Sequence, residues 1–489
     1  MLMTWTHFFF RTKLRRFLSL SFALFLVLAL LYAIRVITYE LPVDSSFLQS
    51  KQAYLKRLRS TQLKQKPNII FILFDDLGYG DLGSYGNKAI QTPHLDRVAK
   101  EGLRFTQFTV PTAVCTPSRV AYLTGRYPVR TGVTGALFPK SSPITRIRKA
   151  ARQKVGLPPD ETTIAEVLKA VGYKTGIMGK WHLGDEPPSL PNAFGFDQFY
   201  GVLCSNDMNP MHLFHNKKVV QKHPVDQSKL TQLYTQQAIR FMEKHQKSPF
   251  FLYIPHTFPH WPHHPSKEHK GHSKGGRYGD VVEDLDRSVG AILKALKRLK
   301  LDSNTILLVS SDNGPWYQGN PGAHRGRKWE VFEGGVRVPF LARWPGTLSK
   351  GRVVPEVVSS LDIMPTILEI LGVPKPIDRT LDGVSMLPIW KGQSSLPQRQ
   401  LYYYWRSTLY AMRHGSYKFH RRHRLSTFNP IFPAPFAVNK GPWLFDMKLD
   451  PSESYDVSEK YPKVMQQCKQ HWSSWQKAMK KNVRGKKGR

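Results

Sequence analysis

Four short apolar runs, each leading straight into a cluster of polar side chains, restrict this chain to a narrow set of folds. Residues 68–74 read Asn-Ile-Ile-Phe-Ile-Leu-Phe and end in Asp75-Asp76. Residues 174–178 run into Gly179-Lys180-Trp181-His182, 249–254 lead to His256 and His260, and 305–310 run into Asp312-Asn313-Gly314-Pro315. A run that is apolar throughout suits a strand buried on both faces, as in parallel sheets covered by helices. Helical patterns lie between the runs. Residues 162–171 carry apolar side chains at 164, 167, 168 and 171, a capping box from Thr163 to Glu166, and Gly172 as the stop. Residues 281–299 form a long amphipathic helix. Alternation of this kind gives an α/β domain, and open α/β sheets bind ligands beyond the carboxyl ends of their strands. One such cluster is a loop; four at one sheet edge are a site.

The residue types in these clusters select the chemistry. Asp75, Asp76, Asp312 and Asn313 are hard oxygen donors suited to Ca²⁺ or Mg²⁺. A single Asp-Asp pair after a strand is commonly a cap or a turn, but a second acidic-amide pair in the equivalent place makes a divided metal site. His256, His260, His263, His264, His269 and His272 raise the alternative of zinc, yet no matching cysteine or second histidine cluster accompanies them. Between the first two runs stands Cys115-Thr116-Pro117-Ser118-Arg119, followed by Leu123-Thr124-Gly125-Arg126. Pro117 suits the first turn of a helix, Thr116 takes the N-cap position, and Gly125 ends the helix. Cys115 then sits at a helix N-terminus, where free N–H groups favour anions, with Arg119 one turn on facing the same point. A buried structural thiol is the default reading of a cysteine. This setting fits a nucleophile-bearing position that receives an anionic substrate.

The Cys115 segment resembles the sulfatase signature C-x-P-S-R…L-T-G-R, and the resemblance extends in family order over residues 67 to 460. Ile72 to Asp81 is similar to the metal-binding strand end, and Gly179-Lys180-Trp181-His182-Leu183-Gly184 to the family's second signature. The Phe251-Leu252-Tyr253 to His260-Trp261-Pro262 segment resembles the sulfate-binding histidine segment. Ser311 to Pro315 matches the second metal pair, and Lys328 ahead of Phe332-Glu333-Gly334-Gly335-Val336-Arg337 the remaining sulfate lysine. The arylsulfatase A-like branch is the nearest in pattern. The resemblance implies an alkaline-phosphatase-like fold: a large mixed, mostly parallel sheet flanked by helices, with a smaller C-terminal antiparallel sheet. It also implies that Cys115 is oxidised to formylglycine by a maturation enzyme, and that Asp75, Asp76, Asp312, Asn313 and residue 115 surround the Ca²⁺ or Mg²⁺ ion. Asp312 is implied as acceptor of the attacking hydroxyl's proton. Arg119 and Lys180 are implied to stabilise the alkoxide, Lys180, Lys328 and His260 to hold sulfate, and His182 to take the second hydroxyl's proton. Ser205 resembles a pocket position that contacts substrate. The family's abundant disulfides are missing, since the chain has only Cys115, Cys204 and Cys468.

The two ends read differently from the body. Residues 17–34 are uncharged and apolar, long enough to span a bilayer, and Arg11, Lys13, Arg15 and Arg16 precede them. The positive-inside rule keeps the N-terminus cytoplasmic and exports the remainder. A cleaved signal peptide is the alternative, against which stands the lack of an A-x-A site. Few cysteines and no Asn-x-Ser/Thr sequon lean toward a bacterial inner membrane facing the periplasm. The expected organisation is a cytoplasmic basic tail (1–16), a signal anchor (17–37), a stalk (38–66), the catalytic domain (67–394), the antiparallel-sheet subdomain (395–465) and a solvated basic tail (466–489).

Lys and Arg number 72 against 35 Asp and Glu, a net charge of +37. That balance suggests a polyanionic partner such as a sulfated glycan or an anionic membrane, or else a source whose proteins are basic throughout. No nucleic-acid-binding signature accompanies it. Three functions compete: a membrane-anchored sulfatase acting on aryl or carbohydrate sulfates, a phosphonate or phosphodiester hydrolase on the same fold, and an unmodified chain that only binds polyanions. Loops 138–156 and 428–441 are placed to choose the substrate.

Overall fold

The computed structural model describes residues 2–393, 396–421, 423–425 and 438–487. Its body is a ten-stranded mixed sheet: β1 (Asn68–Phe74), β2 (Leu103–Thr109), β3 (Lys174–Lys180), β4 (Gln198–Val202), β5 (Leu213–His215), β6 (Lys218–Gln221), β7 (Phe250–Pro255), β8 (Thr305–Ser311), β9 (Phe340–Arg343) and β10 (Arg352–Ser359). The spatial order is β10-β2-β9-β8-β1-β7-β3-β4-β5-β6. The central run β8-β1-β7-β3-β4 is parallel throughout. Antiparallel partners enter at β9 and along the β4-β5-β6 edge.

β1 is buried at every position, and its side chains alternate between two cores as a period of two requires. Ile69, Phe71 and Leu73 pack with Val120 and Leu123, Val167 and Leu168, and Ile367 and Leu371 from three helices on one face. Ile70, Ile72 and Phe74 pack with Phe241, Leu285, Val289 and Ile292 on the other. The Thr163–Glu166 capping box is formed: Glu166 N–H donates to the Thr163 hydroxyl, and Thr163 N–H to the Glu166 carboxylate. The four apolar runs are thus strands, and the four strands β8, β1, β7 and β3 are consecutive neighbours.

A second, four-stranded antiparallel sheet follows, from β11 (Gln400–Trp405), β12 (Thr408–His414) and β13 (Tyr417–His420), then past a small hairpin of β14 (His423–Leu425) and β15 (Val438–Lys440) to β16 (Trp443–Asp446). The 428–441 loop lies outside the described residues as far as 437.

Both basic flanks depart from expectation. As far as the described residues reach, to 487, the 466–489 segment is not a solvated tail: Pro462–Lys481 is a helix whose Met465, Cys468 and Trp472 pack on Tyr402, Met412, Phe419 and Leu444. Its many lysines occupy the outer face and hide an apolar stripe at helical spacing. Beyond it Arg484 pairs with Asp160 and Glu161 at 3.0 and 3.1 Å. The 38–66 segment is likewise no free stalk. Asp44 caps the helix Ser45–Leu58, which buries Phe47, Lys51, Tyr54 and Leu58 on the domain, and Lys51 meets Glu166 at 2.5 Å. The N-terminal helix Leu2–Ile37 carries a 21-residue apolar span, Phe17–Ile37, none of which the rest of the protein buries.

Trp472 is 3% exposed in the core under the C-terminal helix. Trp472→Ala should lower the unfolding free energy by about 3 kcal/mol or more, read as a shift in the denaturant midpoint. An unshifted midpoint would disprove the docking of this helix.

Candidate active site

Register brings the site together. Phe74 is paired with Ser311 across β1 and β8, so Asp75 and Asp312 leave adjacent parallel strands side by side. The ladder runs one step further on both sides of β1: Asp312 N–H donates to Phe74 C=O at 3.0 Å, and His256 N–H to Leu73 C=O at 2.8 Å. Asp76 then turns the chain with φ at 67°, a left-handed conformation that costs an ordinary residue energy and marks a constrained position. Its N–H donates to Asp312 Oδ1 at 3.1 Å.

Three cations and a histidine, from four separate segments, surround these carboxylates. Lys180, the last residue of β3, donates from Nζ to Asp75 Oδ2 at 2.5 Å and to Ser205 Oγ at 2.9 Å. Arg119 Nε donates to Asp312 Oδ2 at 2.9 Å, and its Nη1 to Lys180 C=O at 2.8 Å. Lys328 Nζ reaches Asp76 Oδ2 at 2.7 Å, and His260 Nε2 lies 3.7 Å from the same oxygen. Asn313 Nδ2 donates to Asp76 Oδ1 at 2.7 Å. All of these side chains are buried. Burial opposes ionisation of Asp75, but Lys180 above all, then His260, Arg119 and Lys328, hold its carboxyl well below the usual range. Asp312 goes the other way: burial first, then the Asp75 charge, push it up.

The donor set fits a hard divalent cation. Four oxygen-bearing side chains converge, and the buried Oδ1 atoms of Asp75 and Asn313 have no hydrogen-bond partner among the described residues. Buried polar atoms are rarely left so without a functional reason. Asp75, Asp76 and His260 also offer ligand atoms that lie within 4.8 Å of one another. Oxygen donors predominate, and that favours Ca²⁺ or Mg²⁺ over zinc.

Cys115 opens the helix Cys115–Thr124, with Val114 as N-cap and Gly125 closing it at φ 64°. Thr116 is therefore not the cap expected of it. The helix begins one residue earlier, and the Thr116 hydroxyl accepts from Leu137 N–H at 3.2 Å, tying down the loop opposite. Cys115 lies in a small apolar setting of Val114 and Ala136, edged by Phe138 and Trp329. Burial pushes its thiol up to about 11 against the pull of Lys180 and Lys328. An unaltered thiol there is protonated and a poor nucleophile at neutral pH. Cys115, Cys204 and Cys468 are all free.

The histidines separate clearly. His182 adopts φ 58°. Its Nε2 sits 2.9 Å from Leu137 C=O, an arrangement that protonates Nε2 and leaves the lone pair on the buried, unpartnered Nδ1. Burial, then Lys180 and Arg119, hold this ring well below its ordinary value, so it is neutral. His256 turns into the opposite core, against Phe74 with centroids 5.8 Å apart and Ser288 Oγ at 3.4 Å. The structure brings His260 to the carboxylates and His256 away from them.

Two supporting features brace the site. Tyr122 OH donates to Ser311 C=O at 2.8 Å, and the Ser118 hydroxyl donates to Asp312 C=O, locking the helix to the end of β8. The loop bearing Lys328 is braced by the second sheet: Glu333 meets Lys418 at 2.9 Å and Arg337 at 2.5 Å, while Glu453 meets Lys418 at 3.1 Å, His420 at 2.8 Å and the Glu333 N–H at 2.5 Å. Gly314 approaches this loop so closely that a Cβ there would lie 1.9 Å from Gly334 C=O. No local pattern encodes contacts between segments a hundred residues apart.

Comparison with known proteins accords with this geometry. Residues 67–373 match the family described as Sulfatase, and residues 325–478 the domain described as N-sulphoglucosamine sulphohydrolase, C-terminal. Arylsulfatase A of Bos taurus is 39% identical over 453 residues, covering 83% of this chain and 86% of that protein. N-acetylgalactosamine-6-sulfatase of Sus scrofa is 38% identical over 384 residues, covering 74% and 72%. Among solved structures, Ps i-CgsB in complex with k-i-k-neocarrahexaose superposes with a TM-score of 0.73 at 30% identity, covering 84% of this chain and 93% of that one. The chain belongs to the sulfatase family, and it is a sulfuric ester hydrolase.

His260→Ala should cut sulfate-ester turnover at least ~10²-fold, the ordinary weight of a positioned acid–base or binding group. His256→Ala should lower the melting temperature while the folded fraction keeps turnover within a few-fold. A reversed pattern in steady-state rates and thermal melts would exchange the two assignments.

Proposed function

We propose that the enzyme hydrolyses carbohydrate or aryl sulfate monoesters through formylglycine at position 115, with a divalent cation held by Asp75, Asp76, Asp312 and Asn313. One observation carries the reading: the buried cluster in which Lys180, Lys328, Arg119 and His260 ring the three carboxylates beside the Cys115 helix N-terminus. Its cations are matched to a tetrahedral anion and its carboxylates to a hard cation.

As a hydrated aldehyde, residue 115 supplies two geminal hydroxyls, one to attack sulfur and one whose deprotonation later expels sulfate. The bound cation supplies Lewis-acid polarisation of the sulfate oxygens. The remaining roles belong to side chains of the chain. Asp312 Oδ accepts the proton of the attacking hydroxyl and is oriented for it by Arg119. Lys180, Lys328 and His260 hold the sulfate oxygens, and Lys328 or His260 hands a proton to the departing alcohol. His182 Nδ1 accepts the second hydroxyl's proton, because Leu137 C=O engages the other ring nitrogen. Ser205, bonded to Lys180 Nζ, fixes that ammonium and lines the leaving-group side.

A glycan leaving group is supported by the neocarrahexaose complex of the similar Ps i-CgsB and by the net charge of +37. The same reading holds the enzyme at a membrane through Phe17–Ile37, with the catalytic body on the exported side.

Mass spectrometry of the peptide spanning residues 105–119, from protein made in its own host, should find the aldehyde in place of the Cys115 thiol, and Cys115→Ala should abolish turnover. An intact thiol in active enzyme would exclude the mechanism. Asp312→Ala should lose both turnover and calcium binding by titration calorimetry; unchanged values for both would remove Asp312 from the site.

A further inference from the structure

The helix Pro143–Ala150 is short, basic and exposed, and it plays no part in the chemistry above. Its sequence, Pro-Ile-Thr-Arg-Ile-Arg-Lys-Ala, places Ile144 and Ile147 one turn apart. They are 38% and 60% exposed, although isoleucine is among the residues most often found inside. Arg146 and Lys140 stand exposed beside them. The other polar groups of this helix point to the protein: Thr145 is buried, Arg148 donates to Ala136 C=O at 2.7 Å, and Lys149 pairs with Glu186 at 2.5 Å.

The C-terminal end of this helix is fastened to the end of the apolar N-terminal span. Arg35 Nε donates to Ala150 C=O at 2.7 Å, Tyr39 OH to Gln153 C=O at 2.8 Å, and Arg152 Nη1 to Thr38 C=O at 2.8 Å. Lys149 Nζ stands over the Tyr39 ring, 5.8 Å from its centroid. Whatever surrounds residues 17–37 therefore ends within a few ångströms of this helix. Exposed aliphatic side chains flanked by arginine and lysine are what an anionic bilayer surface accepts.

We propose that the helix Pro143–Ala150 is a membrane-docking surface, with Ile144 and Ile147 inserted at the headgroup boundary and Lys140 and Arg146 on anionic phospholipid. This rests on the reading of Phe17–Ile37 as a membrane segment. The docking has a consequence for the site. The Thr145 hydroxyl donates to Phe138 C=O at 2.9 Å and Arg148 holds Ala136, so the loop that edges Cys115 and accepts from His182 through Leu137 is hung from the membrane-bound helix. The loop Ala136–Phe138 beside Cys115 is thereby fixed close to the lipid surface.

The test uses the full chain in vesicles of phosphatidylcholine and phosphatidylglycerol. A nitroxide on Ile147→Cys, in a Cys204→Ser background, is compared with one on Lys217→Cys in the exposed β5–β6 turn; Ile144→Cys serves as a second reporter. The ratio of oxygen to aqueous nickel-chelate collisions should be several-fold higher at 147 and 144 than at 217. It should fall when Lys140→Glu and Arg146→Glu are combined, or when phosphatidylglycerol is omitted. Protein that floats with the vesicles but gives equal ratios at 147 and 217 overturns the docking and leaves the anchor standing. Protein that does not float overturns the anchor and the docking with it.

Discussion

Three carboxylates buried in one hydrogen-bonded cluster set the terms for the rest of this structure. Asp75, Asp76 and Asp312 are forced together by the β1–β8 register and cannot spread their charge into water. Charges so placed persist only if opposite charges are brought to them with good geometry. Arg119 comes from the helix after β2, Lys180 from the end of β3 and Lys328 from the loop after β8, and each makes a direct bond to one carboxylate. The cluster therefore specifies how three distant pieces of chain must meet. In the proposed reaction the same groups divide their work: a divalent cation takes the carboxylate oxygens, and the ammonium groups turn to the substrate's sulfate.

That division explains why the smaller sheet is part of the catalytic body. Lys328 is delivered by a loop with little regular structure of its own, and its neighbours Arg325 and Glu333 are fixed from the C-terminal side. Glu453 C=O accepts from Arg325 Nη1 at 3.0 Å, and Arg325 lies 4.2 Å over the Phe332 ring. Glu333, Lys418 and Glu453 form a buried chain of alternating charge, and Glu453 also bonds the His420 ring. Such a chain discriminates strongly against misplacement, because removing one member strands another in a low-dielectric interior. Lys328 is thus held from outside the sheet it serves.

How much of this was legible in the sequence follows from the range of each interaction. The central strands were readable because complete burial leaves a continuous apolar run, and Asp75, Lys180 and Asp312 because each ends such a run. His260 was separable from His256 only through the motif that follows it. Both rings are buried, and the side each faces is decided by the chain path after β7. Thr116 was misassigned because the helix starts at Cys115 with no side-chain cap, leaving its hydroxyl to the loop at Leu137. The C-terminal flank reads as a solvated tail, and residues 38–66 as a stalk, because lysine and arginine dominate their composition. Only the spacing of Phe47, Lys51, Tyr54 and Leu58, or of Met465, Cys468 and Trp472, shows the buried stripe.

The membrane reading and the catalytic reading meet at residues 136–154. This segment leaves the Cys115 helix region, passes the loop at Ala136 to Phe138, turns through the basic helix and returns by Gln153 and Lys154, whose Nζ donates to Thr131 C=O at 2.8 Å. Along its course it is bonded in turn to Thr116, to His182 and to the end of the apolar span. Within this segment the Leu137 carbonyl decides which nitrogen of His182 bears the proton. Tautomer choice depends on one acceptor, and that acceptor is carried by a loop, not by the sheet. The strands fix where the charges of the site sit, while the loop tied to the helix Pro143–Ala150 fixes the tautomer of His182.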